Sequence, residues 1–174
     1  SSLPIDKSAI GWSSGIIQDF KNKKEKLFDE TRIYKSNYRP FNKTNYVYFD
    51  RAFNERVYQM PKIFPTNNHQ NKLIVIRGIG IAGNTEFSCL MVDAIPDKHA
   101  LANSQCFPLY LYNEDSNDEQ TNLFTKGADK GKESAISEEG FNYFSRNFSD
   151  IQITKEDIFY YVYGILHSKE YTEK

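Results

Sequence analysis

Leu73-Ile74-Val75-Ile76 constrains the fold more than any other stretch of this chain. A strand that covers a core with one face alternates apolar and polar residues. A short run with no polar residue is typical of a strand buried on both faces. Similar runs flank it. Tyr46 to Phe49 reads as a strand, Val57 to Met60 as another closed by Pro61, and Phe87 to Val92 as a third. Phe107 to Tyr112 is a further candidate, and Pro108 near its start favours an edge or strand-entry position because proline cannot donate to a ladder.

Helical signals bracket these strands. Ile16, Ile17 and Phe20 sit at helical spacing behind Trp12 and run into the basic cluster Lys21 to Lys26. Asp29 is a candidate N-cap for a short second helix carrying Ile33 and Tyr34. Near the C-terminus, Ser137 precedes Glu138 and Glu139, and Phe141, Phe144 and Phe148 share one face. Thr154 caps a last helix in which Asp157 fills the acidic slot of a capping box. Ile158, Tyr161, Val162 and Ile165 form its apolar stripe, and His167 falls in its final turn. The expected class is therefore α+β: a mostly antiparallel or mixed sheet of about five strands, with short N-terminal helices and two C-terminal helices. Residues 113–135 are acidic, polar and glycine-containing, and read as a long flexible loop anchored weakly at Leu123 and Phe124.

A chain of 174 residues suffices for one domain with a core. It has no run of about 18 apolar residues, so no membrane span is expected. Its opening lacks the charged start and apolar block of a signal peptide. Cys89 and Cys106 form neither a disulfide framework nor a zinc set, and are expected as buried thiols in a reducing cytoplasm. The formal net charge is −1, but its distribution is uneven: residues 1–90 hold 14 Lys and Arg against 8 Asp and Glu, residues 91–174 hold 8 against 15. Either a basic face attracts phosphate while an acidic one maintains solubility, or the two halves attract each other across the fold.

Signals for catalysis are weak. Gly78-Ile79-Gly80-Ile81-Ala82-Gly83 spells a dinucleotide fingerprint after a strand, with Asp97 near the distance of a ribose ligand. Asn84 and Thr85 then lead into another strand-like run, so the helix whose N-terminus would meet a pyrophosphate is lacking. A glycine-rich hairpin, or a backbone passing close to another, fits better. His69, His99 and His167 have no partner at ligand spacing. There is no Walker loop, no HExxH and no convincing nuclease constellation.

The basic half is more informative. Arg39, Lys43, Arg51, Arg56, Lys62, Lys72 and Arg77 recur among Tyr38, Phe41, Asn42, Asn45, Asn54, Asn67 and Asn68. Arginine pairs with the guanine edge and an amide with adenine, while lysines suit phosphates. Set against this, Asp50 beside Arg51 and Glu55 beside Arg56 suit the pinning of loops.

Three ordered landmarks carry a family resemblance: Tyr38-Arg39-Pro40-Phe41 with Tyr46, Tyr48-Phe49-Asp50-Arg51 and Asn54-Glu55-Arg56; then Ser104 to Tyr112; then Ile153 to Ser168. Together they resemble the specificity domain of type ISP restriction–modification enzymes, single chains joining nuclease, translocase, adenine methyltransferase and recognition domain. The likeness runs from about Trp12 to Tyr171, and residues 113–135 show no match. The family's Asn-Pro-Pro-Tyr-type and Gly-Lys-Ser/Thr motifs do not occur in this chain.

The resemblance implies a fragment following the translocase and methylase, with residues 1–26 as lead-in and 27–174 as the target-recognition domain. It implies double-stranded DNA and the neighbouring methyltransferase as partners, in a bacterial cytoplasm. No cofactor is expected in this fragment; S-adenosylmethionine, ATP and magnesium belong to the parent. Arg39, Lys43, Arg51, Arg56, Lys62, Lys72 and Arg77 are the expected DNA contacts. Residues shared by relatives with different target sites suit scaffold or backbone, so base readers are expected between landmarks, in 62–72 and 113–135. Two rival readings are a docking module that couples methyltransferase and translocase, and an independent enzyme using the glycine-rich turn.

Overall fold

The computed structural model describes residues 13–25, 27–40, 45–49, 57–78, 87–98, 100–113 and 131–172. Helix α1, Ser14–Lys21, is capped by the Ser13 hydroxyl, which accepts from the Ile16 amide. Asp29 then caps a single 3-10 turn, Glu30–Arg32. The chain straightens into β1, Ile33–Asn37, so Ile33 and Tyr34 lie on a strand rather than the expected second helix. Both are β-formers, and Tyr34 is buried against the main core.

Strand β2, Asn45–Tyr48, pairs antiparallel with β1. Val57 to Met60 does not form the expected strand: Pro61 enters the first turn of a short helix, α2, Met60–Ile63. Proline lacks the N–H that a strand would need, and its fixed φ is ready-made for a helix start.

Strand β3, Leu73–Ile76, is flanked antiparallel by β4, Cys89–Val92, and β6, Gln105–Pro108. Between these two in sequence, β5, Ile95–Pro96, joins β1 in parallel. β7, Tyr110–Tyr112, pairs with β8, Lys132–Ser134. The α+β class holds, with the strands divided among sheets β2-β1-β5, β4-β3-β6 and β7-β8. Leu109 effects the hand-over between the last two. Its amide donates to the Lys72 carbonyl at 2.8 Å, and its carbonyl accepts from the Ala135 amide at 2.9 Å. Pro108 accordingly sits on an edge strand. Within the span expected as a loop, residues 131–135 are ordered around β8, and Leu123 and Phe124 lie outside the described residues.

β3 is covered on both faces, as its composition demands. Leu73 and Val75 enter a cluster with Tyr34, Ile63, Phe64 and Val92, while Ile74 joins Leu109 and Phe159 on the other side. Burying each such side chain contributes about 1.5–3 kcal/mol.

The second face is covered by α4, Lys155–Leu166, whose capping box between Thr154 and Asp157 is complete. Phe159, Tyr163 and Leu166 turn toward the sheet. Of the expected stripe, Ile158 is buried, but Tyr161, Val162 and Ile165 are 38–49% exposed. The helix is apolar on two sides, so periodicity alone does not select the one that meets the sheet. The other side meets α3, Glu138–Asn147, through Tyr161 against Phe144 and Phe148. His167 is the C-cap of α4, and a short helix α5, Lys169–Thr172, follows. No helix among the described residues is long and apolar enough to cross a membrane.

Candidate nucleic-acid interface

An open cleft of about 860 Å³ separates β1 and β2 from the β7–β8 pair and α4. Its floor is the segment from Asn67 to Lys72, which connects α2 to β3. Lys35 and Tyr46, cross-strand partners on β1 and β2, form one wall. Tyr110, Lys132, Glu156 and Tyr160 form the other.

Three lysines rim this cleft. Lys35 is exposed and holds no ion pair among the described residues. Lys72 donates to the Tyr160 hydroxyl at 2.6 Å. That hydrogen bond, more than the nearby carboxylates, raises its pKa above the ordinary lysine value, so the ammonium stays charged. Lys132 lies 4.2 Å above the Tyr110 ring. The Tyr110 hydroxyl is committed to Glu156. A tyrosine face attracts an ammonium electrostatically and holds it beside the ring. Asp93 is the other carboxylate on the cleft.

The floor is tied down by hydrogen bonds. Asn71 is buried, and its amide makes four hydrogen bonds: Nδ2 donates to the carbonyls of Ile63 (3.0 Å) and Tyr110 (2.8 Å), and Oδ1 accepts from the amides of Lys72 (2.9 Å) and Tyr110 (3.1 Å). That exhausts the capacity of an asparagine side chain. Tyr34 donates to the Pro65 carbonyl and Tyr112 to that of Gln70. His69 Nδ1 accepts from the Thr66 amide, and its ring stands edge-on to Tyr112 at 4.7 Å.

Of the seven basic residues expected to meet DNA, Lys43, Arg51 and Arg56 lie outside the described residues. Lys72 lines the cleft; Arg39, Lys62 and Arg77 are not among its lining residues. Arg39, just beyond β1, lies 4.4 Å from the centre of the Tyr38 ring. Lys62 is exposed in the last turn of α2. Arg77 directly follows β3, with its Nε buried and without a hydrogen bond among the described residues. Sequence reasoning misses Lys35, which lies on a strand where a helix is expected, and singles out no DNA-contacting side chain within 113–135, the span that contributes Lys132.

The glycine-rich turn fits a close approach. A Cβ on Gly78 would lie 1.9 Å from the Asn103 carbonyl oxygen, where Ala102 and Asn103 both adopt positive φ. Gly80 and Gly83 lie outside the described residues, as does His99. Cys89 and Cys106 are free and partly buried, and burial pushes both thiols up to about 11.

This α+β fold is similar to parts of known restriction–modification enzymes. The DNA-bound ATP-dependent type ISP enzyme LlaBIII is similar with a TM-score of 0.73 and 33% identity, over 94% of this chain and 10% of that one. DrdV, solved as a DNA complex, gives 0.79 and 30%, over 97% and 15%. A nuclease-deletion mutant of the type ISP enzyme LlaGI, in complex with a DNA substrate mimic, gives 0.67 and 27%, over 94% and 12%. The chain thus spans 10–15% of the length of these proteins. Comparison with the curated proteins gives no match. The family model for the type ISP C-terminal specificity domain matches residues 3–174, and the chain belongs to that family.

Proposed function

We propose that this domain recognises a short double-stranded DNA site on behalf of a larger restriction–modification enzyme. The observation that carries the reading is the cleft rimmed by Lys35, Lys72 and Lys132 over a floor of amide side chains, in a family whose solved members include DNA complexes. Ammonium groups neutralise phosphates and set register, while amides address base edges. Arg39, Lys43, Arg51, Arg56, Lys62 and Arg77 remain candidates for contacts beyond the cleft. Residues 1–26 serve as the lead-in and 27–174 as the recognising body.

Within the parent, the domain presents one adenine to a neighbouring methyltransferase that extrudes it and uses S-adenosylmethionine. Magnesium-dependent ATP hydrolysis and cleavage are carried out elsewhere in that chain, and this domain supplies no catalytic group. Methylated adenines mapped in cells carrying the intact parent test the reading. Exchanging this domain for another should move methylation to a different sequence; methylation that stays in place after the exchange overturns it.

A second role is favoured by the partly exposed apolar side of α4, where Val162 and Ile165 remain open to solvent and Tyr161 and Phe148 are only half covered by their packing on each other. An apolar patch of this kind suits docking onto another domain of the parent. Salt separates the two activities: DNA affinity falls steeply with ionic strength, and apolar docking does not.

A further inference from the structure

Asn67-Asn68-His69-Gln70-Asn71 is an unbroken polar run along the cleft floor, and its members fall into two kinds. Asn67, His69 and Asn71 face structural duties. Asn67 Nδ2 donates to the Glu30 carbonyl at 3.1 Å, and its backbone amide to Thr31 at 3.0 Å. His69 is tied to Thr66 and Tyr112, and Asn71 is saturated. Asn68 and Gln70 alternate with them, are exposed, line the cleft, and carry no hydrogen bond on their amide heads among the described residues.

We infer that Asn68 and Gln70 are specificity determinants that read adenine edges in the major groove. The inference rests on the proposed DNA-recognition role and assigns it to two side chains. An amide head offers a donor beside an acceptor, which matches N7 and N6 of adenine in a bidentate pair. Here the backbone that carries both heads is fixed before any ligand arrives, because Pro65 and Gln70 are held by tyrosine hydroxyls and Asn71 by four bonds. Such pre-organisation lowers the ordering cost of recognition.

Residues two apart on a chain lie at most about 7 Å from each other, the span of roughly two steps of about 3.4 Å along a DNA strand. The two positions they read therefore fall within about two base pairs of each other. Lys35, Lys72 and Lys132 around them hold phosphates and are indifferent to sequence.

The test is selection of duplexes with a randomised core by the intact parent enzyme, followed by sequencing. Wild type is compared with Asn68→Ala, Gln70→Ala, Asn68→Asp and Gln70→Glu. Each alanine variant should relax an adenine preference at one position by about tenfold or more, with the two positions within about two base pairs of each other. The carboxylate variants keep size but accept only, so the same positions should turn toward cytosine, whose N4 donates. Both side chains are exposed, and melting temperatures near wild type should confirm intact folding. If wild type enriches a defined site and all four variants enrich the same one, this inference falls while the DNA-recognition reading stands. If wild type enriches no site, both fall.

Discussion

The side chain of Asn71 pairs with the backbone of Tyr110 as a strand residue would: Nδ2 donates to the Tyr110 carbonyl at 2.8 Å, and the Tyr110 amide returns a bond to Oδ1 at 3.1 Å. One buried amide thereby extends the β7 edge to the cleft floor. Asn71→Ala leaves several buried partners unsatisfied, each costing about 1–3 kcal/mol. Asn71→Asp replaces two donors by a carboxylate facing two carbonyls. Both variants should lose at least ~2 kcal/mol of stability, which for a domain of this size lowers Tm by roughly 4–8 °C or more. Thermal unfolding followed by circular dichroism gives the answer, and an unchanged Tm would show that these bonds carry no net stability.

Gly78→Ala should destabilise the domain, because the added methyl meets the Asn103 carbonyl in backbone rather than at the end of a flexible side chain. Neither ATP nor NAD should shift the wild-type melting temperature, as a ligand that bound the folded state would. A dose-dependent rise would restore the nucleotide-site reading of the glycine-rich turn.

Cys89 and Cys106 should react slowly with thiol reagents. With both raised to about 11 by burial, only about one thiolate in a thousand is present at pH 8. Labelling should accelerate as pH rises toward 11 and become fast in denaturant. Rapid labelling of the native protein at neutral pH would contradict this burial.

The start of α4 should fray in acid. The Thr154 side chain, then its backbone amide, hydrogen-bonds the Asp157 carboxylate and holds its pKa below the ordinary aspartate value. A carboxyl depressed in the folded state contributes stability above its unfolded pKa and loses it as pH falls through the lower, folded value. Thr154→Ala should weaken that dependence, leaving the share held by the backbone amide, and cost about 1 kcal/mol through the lost cap. Amide exchange at the first turn of α4, followed from neutral pH to below pH 4, reports both.

Alanine at Lys35, Lys72 and Lys132 together should weaken DNA binding for all sequences alike. If each lysine neutralises one phosphate, the slope of log K against log salt should shrink by roughly 2.7. A change in which sequence is preferred, without a change in slope, would assign these lysines to bases instead.

Local chemistry made parts of this architecture legible. Ser137 and Thr154 announce their helices because capping needs a hydroxyl at one position, and β3 announces itself because both of its faces must be dry. Where two local signals compete, sequence does not decide: Pro61 sits in the first turn of α2 just after Val57 and Tyr58, which favour a strand, and α4 offers two apolar sides. The cleft was less visible still. Lys35, Lys72, Lys132 and Tyr160 come from four elements or connections far apart in the chain, and only tertiary pairing brings them to one rim. The alternation of tied and untied amides in 67–71 is invisible in sequence, since Asn67, Asn68 and Asn71 are chemically identical until their partners are known.

Leu109 hands one continuous stretch of chain from β3 to β8, while Tyr34 roots the facing wall in the cluster that covers β3 from the other side. Both walls of the cleft are thus anchored to a single strand. On the proposed reading, the lysines carried by the two walls would be spaced through β3, and a duplex whose groove is too wide or too narrow would meet them out of register.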